Sequence, residues 1–424
     1  MRVLIVNTSE KTGGAAVASL RLMDALNNNG VKVKMLVKDK ETARITVARL
    51  PRSPLLLWHF LWERWCIFWH LHFSRRHLFE IDIANAGSDI TSLPEFKEAD
   101  VIHLAWINQG MLSLRSIGRI IASGKPVVWT MHDAWPATGL CHYARGCPAF
   151  RTGCHRCRLL PGGGSDHDLS RRIFLRKQKL YARSSIHFVA CSQWLGEQAR
   201  QSALLRGMDV SVIPNPIDTR VFCRKDKRQA RHALGLPEDR RLILFVSQRV
   251  TDERKGMAYF VDALHRLVAD HPDMKDDTGV VILGGQAEKL SAQLPLAAYP
   301  LGYVSDEHQI VRVYNAADLF VLPSLEDNLP NTIMEAMACG VPCAGFRVGG
   351  IPEEIDHRTN GYVADYKDVA DLARGIHWIL READYEALSQ AAVSKVTVSY
   401  AQRSVAMKYI DVYNRVMVQK NYHI

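Results

Sequence analysis

A chain of 424 residues with 47% hydrophobic and 23% charged side chains is too long for one ordinary core and too apolar for a disordered polypeptide, so two globular domains of about 200 residues are expected. The net charge of +10 is unevenly placed: residues 1–222 carry 30 Lys and Arg against 17 Asp and Glu, and residues 223–424 carry 24 against 27. This asymmetry predicts either an anionic partner for the first half, a nucleic acid or an anionic membrane face, or a plain basic surface with no partner.

In chain order, Val3–Val6 is a short apolar run that reads as a buried strand and not as a secretory leader. Helical spacing over Ala15–Asn28, a strand at Val31–Val37 and apolar runs at Val101–Leu104, Val127–Met131 and Ile186–Ala190 follow. Such β-α-β alternation argues for a parallel sheet with helices on both faces. Pro214-Asn-Pro216 and the charged stretch Arg224–Arg231 punctuate the chain, so the first domain is placed at 1–222. The rhythm restarts over 223–396, with strands at Leu242–Val246, Val280–Leu283 and Leu319–Leu322 and helices at Met257–Asp270, Glu307–Asn315 and Thr332–Ala338. One long helical pattern, Thr397–Val418, ends the chain, and residues 397–424 are expected to pack back toward the first domain.

Two stretches break this rhythm. In segment 55–79, Trp58, Trp62, Trp65 and Trp69 recur at helical spacing and share one face. Either that face packs on the domain, or it forms an interfacial helix, with Trp at the headgroup level and Arg64, Arg75 and Arg76 toward anionic lipid. Glu63, Arg64 and three His interrupt Leu55–Phe73, which excludes a membrane span of roughly 20 apolar residues. A cytoplasmic location is expected. The second stretch, 139–160, holds Cys141, Cys147, Cys154 and Cys157 spaced C-x5-C-x6-C-x2-C. This suits a structural zinc, with His142 and His155 as substitute ligands; four free thiols are the alternative. Disulfides are disfavoured in a reducing cytoplasm. Asp166-His-Asp168, in the Gly-rich loop beyond, reads as exposed polar surface.

The densest chemistry lies in Pro323-Ser-Leu-Glu-Asp-Asn-Leu-Pro-Asn-Thr-Ile-Met-Glu335-Ala-Met-Ala-Cys-Gly340. A strand ends at Pro323, a polar loop follows, and a helix opens near Asn331 and Thr332 after Pro330. The N–H groups of a first helical turn suit a diphosphate, and the flanking carboxylates Asp327 and Glu335 suit sugar and ribose hydroxyls. In the first half, Thr12-Gly13-Gly14 lies between strand and helix, and Trp129-Thr-Met-His132-Asp133-Ala-Trp135 ends another strand.

The Asp327–Glu335 segment resembles the signature of family 4 glycosyltransferases of the GT-B fold, two acidic residues separated by seven others. That resemblance implies an α/β architecture of two Rossmann-like domains facing each other across a cleft. It implies that Glu335 binds the ribose and Asp327 the transferred sugar, although the family usually has Glu at the first position and Gly in place of Pro330. Arg249 and Lys255 match the family's basic pair, whose charge would stabilise a departing diphosphate. Gly284-Gly285 and Gly302-Tyr-Val304 resemble donor-side turns, with Val304 near the nucleobase. Gly349-Gly-Ile-Pro-Glu-Glu354, Asn360-Gly361 and Pro214-Asn-Pro-Ile-Asp218 also fit the pattern, the last with Pro216 in place of Gly. Gly13 and Gly14 would lie opposite the donor, and His132 would contact the transferred sugar or the reacting centre.

The run His103-Leu-Ala-Trp106-Ile-Asn108, the Trp129–Trp135 segment and the cysteine insert resemble bacterial enzymes of the colanic-acid type. The partners so implied are a nucleoside-diphosphate sugar, a lipid-linked glycan acceptor and the anionic inner face of a membrane, with no nucleic acid and no catalytic metal. A nucleotide-sugar 2-epimerase or an inactive sugar-nucleotide-binding subunit of the same fold would share these motifs. A dehydrogenase is disfavoured, because no G-x-G-x-x-G follows any strand.

Overall fold

The computed structural model describes residues 1–249 and 252–421, with the side chains of Arg249, Lys420 and Asn421 outside that description. Contacts divide the chain into two units, 1–215 with 405–424, and 216–404. The division falls inside the Pro214-Asn-Pro216 punctuation, ahead of the boundary expected at 222.

The first unit holds β1 (Arg2–Ser9), α1 (Gly14–Asn27), β2 (Lys32–Asp39), β3 (Val47–Arg49), α2 (Pro54–His70), β4 (Val101–Leu104), β5 (Val127–Met131), β6 (His187–Ala190) and β7 (Val210–Val212). Its strands form one parallel sheet in the order β3-β2-β1-β4-β5-β6-β7. Every residue of β4 and β5 is buried. That is why these strands read as nearly continuous apolar runs, broken only by His103 and Thr130, instead of alternating ones. The order reverses at β1, which pairs with β2 on one side (Val3↔Val33) and β4 on the other (Val3↔Val101). Loops leaving the carboxyl ends of two such strands diverge and open the crevice in which doubly wound sheets take ligands.

The second unit repeats the plan with β8 (Arg241–Arg249), β9 (Thr278–Gly285), β10 (Ala297–Gly302), β11 (Leu319–Leu322), α3 (Asn331–Ala338), β12 (Cys343–Phe346) and β13 (Gly361–Ala364). The sheet order is β10-β9-β8-β11-β12-β13, all parallel, with the reversal between β8 and β11.

The terminal helical pattern proves to be two helices, Tyr385–Ser399 and α4 (Gln402–Asn421). Ile217 separates them: its N–H donates to the Tyr400 carbonyl, and its own carbonyl accepts from Gln402 N–H. From Val405 onward, α4 buries Val405, Tyr409 and Tyr413 in one cluster with Val3, Ile5 and Val101 of the first unit. The Tyr413 hydroxyl lies 2.6 Å from His103 Nδ1, and the Tyr409 hydroxyl 2.9 Å from Thr130 Oγ1.

Helix α2 is arranged opposite to the usual amphipathic pattern. Its buried residues are Glu63, Arg64 and Ile67, while Trp58, Trp62, Trp65 and Trp69 are 57%, 42%, 52% and 59% exposed. Glu63 accepts from the backbone N–H groups of Ile83, Ala84 and Gly110. Arg64, read from sequence as a companion of the tryptophans, is turned inward and pairs with Asp82.

Candidate functional site

At the β8/β11 switch, the turn Glu253–Lys255 and the loop after β11 press together. The Leu325 N–H donates to the Arg254 carbonyl at 2.8 Å. Gly256 makes the approach possible: with φ 71° it takes the left-handed turn, and a Cβ there would lie 1.8 Å from the Pro323 carbonyl. Behind the loop, Gly349 at φ 60° leaves room for the Asp327 carbonyl, 1.7 Å from where its Cβ would be.

This framework brings Lys255 to Asp327, Nζ to Oδ2 2.6 Å, with the Ser324 hydroxyl donating to the same oxygen at 3.1 Å and Arg254 Nη1 3.4 Å away. Burial alone would raise the Asp327 carboxyl, but the Lys255 and Arg254 cations outweigh it and hold it below the usual range. Burial lowers Lys255, offset in part by Asp327. Glu335, on the buried face of α3, accepts from the Tyr314 hydroxyl at 2.8 Å. Asn331 and Thr332 open α3, which has no side-chain cap, so the positive end of its dipole lies beside the Asp327 loop. An ammonium, a guanidinium, a helix start and two carboxylates together can hold an anionic diphosphate and sugar hydroxyls.

Arg249 closes β8 in register with Gly285, but its side chain lies outside the described residues. Gly284 is the last residue but one of β9, and Val304 is half-buried beyond β10, respectively one and two strands from the switch.

In the first unit, Gly13 caps the amino end of α1 and, like Gly14, is exposed. His132 leaves the end of β5, its Nε2 3.5 Å from Ser19 Oγ of α1. Burial lowers its imidazole to about 4, only partly opposed by Asp133, so it is neutral at physiological pH. Sequence reasoning missed its neighbours. The Asp133 carboxylate accepts from Trp106 Nε1 (2.8 Å) and meets His142 Nδ1 (2.7 Å), while His142 Nε2 meets Asp82 (2.6 Å). The Trp-Thr-Met-His-Asp-Ala-Trp run contained Asp133; nothing local pointed to Asp82 or His142.

These contacts correct the reading of the cysteine insert. Both His142 ring nitrogens face carboxylates, so it is no substitute ligand, and His155 faces Asp166 at 3.3 Å. Asp168 is buried and caps the helix Leu169–Tyr181 by accepting from Arg171 N–H, and so is not exposed surface. Burial pushes the Cys141 thiol up to about 12 and the Cys154 thiol to about 11. Among the described residues no group of three or more His, Cys, Asp or Glu is gathered to hold a metal ion. Cys147, Cys154 and Cys157 nevertheless lie near enough to Cys141 to raise its thiol further, so a structural zinc stays a proposal for the insert, and no step below uses it.

Comparison with known proteins bears on both units. Residues 12–221 match the family described as Glycosyltransferase Family 4, and residues 240–382 match Glycosyl transferases group 1. The N-acetyl-alpha-D-glucosaminyl L-malate synthase of Bacillus anthracis is 28% identical over 218 residues, which are 49% of this chain and 54% of that protein. The match therefore spans about half the length of that curated relative. Sucrose-phosphate synthase from Thermosynechococcus elongatus shares the fold with a TM-score of 0.66 at 18% identity, over 99% of this chain and 100% of that one. Anabaena HepE in complex with UDP-glucose does so with a TM-score of 0.61 at 15% identity, over 98% and 100%. The chain belongs to the family 4/group 1 glycosyltransferases of the GT-B fold.

Proposed function

We propose that this chain moves a sugar from a nucleoside diphosphate to a hydroxyl of a lipid-linked glycan, with retention of anomeric configuration, in surface-polysaccharide synthesis of the colanic-acid type. The observation that carries the reading is the convergence of Lys255 and Arg254 on Asp327 at the strand-order switch of the second sheet, with Glu335 on the helix that follows the Asp327 loop. There Lys255, with Arg249, neutralises charge growing on the departing diphosphate, the largest electrostatic demand of such a transfer. Glu335 binds the ribose, Asp327 positions the sugar, and the start of α3 at Asn331–Thr332 takes phosphate oxygens. Gly284 and Val304 border the donor within the second unit, and the family resemblance gives Gly13 and Gly14 of the first unit a donor-side role. His132, neutral, serves the acceptor side as a hydrogen-bonding group and not as a cation. In this scheme the leaving phosphate itself accepts the acceptor's proton, with no protein nucleophile and no catalytic metal. The donor complex of the Anabaena neighbour supports UDP-glucose as a donor to try first.

The exposed tryptophans of α2 and the basic first half support an acceptor carried on an anionic membrane, reached peripherally from its cytoplasmic face. The name of the Bacillus relative favours a competing reading, a small hydroxy acid as acceptor.

The test is a thermal-shift screen against UDP, GDP and ADP sugars, followed by transfer assays with both acceptor classes and NMR of the product's anomeric coupling. A bound donor at 100 times its Kd should stabilise the fold by about 2.7 kcal/mol. No stabilisation by any sugar nucleotide would overturn the donor site; an inverted product would overturn retention.

A further inference from the structure

Two hollows lie along helix α2 in the first unit, and neither belongs to the donor chemistry above. The first, about 670 Å³, sits at the amino end of the helix. Lys38 from the end of β2, Arg49 from the end of β3 and Arg52 from the next loop line it beside Ser53, the cap of α2. The side chains of Arg49 and Arg52 make no hydrogen bond or ion pair among the described residues, and the one carboxylate in the lining, Asp39, stands 3.7 Å from Lys38 Nζ. Lys38 already faces Asp39 and donates to the Gln109 carbonyl at 3.0 Å, so the cations open to an added anion at this mouth are Arg49 and Arg52, beside the helix amino terminus.

The second hollow, about 510 Å³, lies farther along the same helix and is walled by Trp58, Leu61, Trp62, Trp65, Phe68 and Leu78, with Arg64 and Arg75 also in its lining. Leu57 and Phe60 in the wall of the first hollow adjoin Leu61 in the second. From Leu57 to Trp65 the helix advances about 12 Å at 1.5 Å per residue. Along the helix a basic mouth is thus followed by a mainly apolar trough.

We infer that α2 binds an amphiphilic phosphate, with the phosphate or diphosphate on Arg49 and Arg52, beside Lys38, and the apolar chain in the trough. This inference deepens the lipid-linked acceptor reading and rests on it for its role in transfer. A free phosphate would leave the trough bare, and an uncharged chain would leave the cations unmatched; one lipid phosphate satisfies both. The position is apt, because Lys38 and Arg49 stand at the carboxyl edge of the same parallel sheet from which His132 leaves β5.

The test uses the full chain and monomeric farnesyl diphosphate, followed by tryptophan fluorescence, with inorganic diphosphate and farnesol as the separated halves. Farnesyl diphosphate should bind at least tenfold tighter than either half. The double variant Arg49→Ser, Arg52→Ser should weaken it at least tenfold, as should Trp62→Ser with Trp65→Ser, while saturating UDP leaves it unchanged. Equal binding by the arginine variant, displacement by UDP, or equally tight inorganic diphosphate would each overturn the inference. No donor or turnover enters this measurement, so its failure leaves the donor site standing. Failure of the sugar-nucleotide screen, conversely, leaves this binding intact.

Discussion

Lys255 Nζ lies 2.6 Å from Asp327 Oδ2, and both side chains are largely withdrawn from water. Each charge is therefore held by the other, and removing Lys255 leaves the buried Asp327 with Arg254 at 3.4 Å and the Ser324 hydroxyl as its remaining partners. Lys255→Ala should lower transfer at least tenfold and also destabilise the second unit, by about 3 kcal/mol as for other buried pairs broken on one side. The double variant Lys255→Met, Asp327→Leu should recover most of that stability and none of the transfer. Urea melts beside transfer assays separate the two effects. Wild-type turnover in folded Lys255→Ala would remove Lys255 from the site.

Glu335 is held by the Tyr314 hydroxyl at 2.8 Å. Glu335→Gln should lower transfer at least tenfold with the fold intact, since a charge-assisted hydrogen bond to the donor is worth roughly 1.5–3 kcal/mol. Tyr314→Phe removes the hydroxyl that holds Glu335 and should cost about 1 kcal/mol in kcat/KM for the donor. A larger loss in Tyr314→Phe than in Glu335→Gln would reverse these roles.

What the sequence could and could not disclose follows from the range of each interaction. The loop from Pro323 to Gly340 was legible because its chemistry is local: strand end, Pro330, helix start and two acids within a few turns. Tyr314 as the partner of Glu335 was not legible, because it comes from the preceding helix Glu307–Ala316. Arg64 was misread for the same reason. Its partner Asp82 lies 18 residues on, and only the folded chain turns it away from the tryptophans. The three-residue strands β3 and β7 are too short to show periodicity, and β12, Cys-Ala-Gly-Phe, lacks the bulky aliphatic run that marks β4 and β11; sheet neighbours supply what local pattern lacks. The break between the last two helices depends on Ile217, far away in sequence.

Glu354 is fully buried, and among the described residues neither carboxylate oxygen has a hydrogen-bond partner. Burial, reinforced by Asp327, raises its carboxyl well above the ordinary value. In the unfolded chain it should titrate near 4.3. Between that value and the raised folded one, the folded protein keeps a proton that the unfolded chain has released, so this group's stability contribution falls as pH rises. Glu354→Gln should therefore match the wild type near pH 4 and exceed it at pH 7–8 in urea denaturation. Equal stability at both pH values would show that Glu354 ionises freely in the fold.

Helix α2 buries Glu63 and Arg64 and turns four tryptophans outward, the reverse of what folding alone would select. Among the described residues no helix is long and apolar enough to cross a membrane, so this face would lie on a bilayer and not span it. Two forces should act there. The excess of Lys and Arg in the first half supplies long-range attraction to anionic lipid, of order ~1 kcal/mol per basic residue close to the surface, and salt screens it beyond about 8–10 Å. Indole insertion at the headgroup level is short-range and resists salt. Binding to anionic vesicles should accordingly weaken at high salt without disappearing, and the salt-resistant part should be lost in Trp62→Ser with Trp65→Ser. Both tryptophans are exposed, so the variant keeps its core, and vesicle co-sedimentation reads the effect directly. A wild-type protein that ignores anionic vesicles at low salt would rule out the membrane as the partner of this face and assign the basic half to another anion.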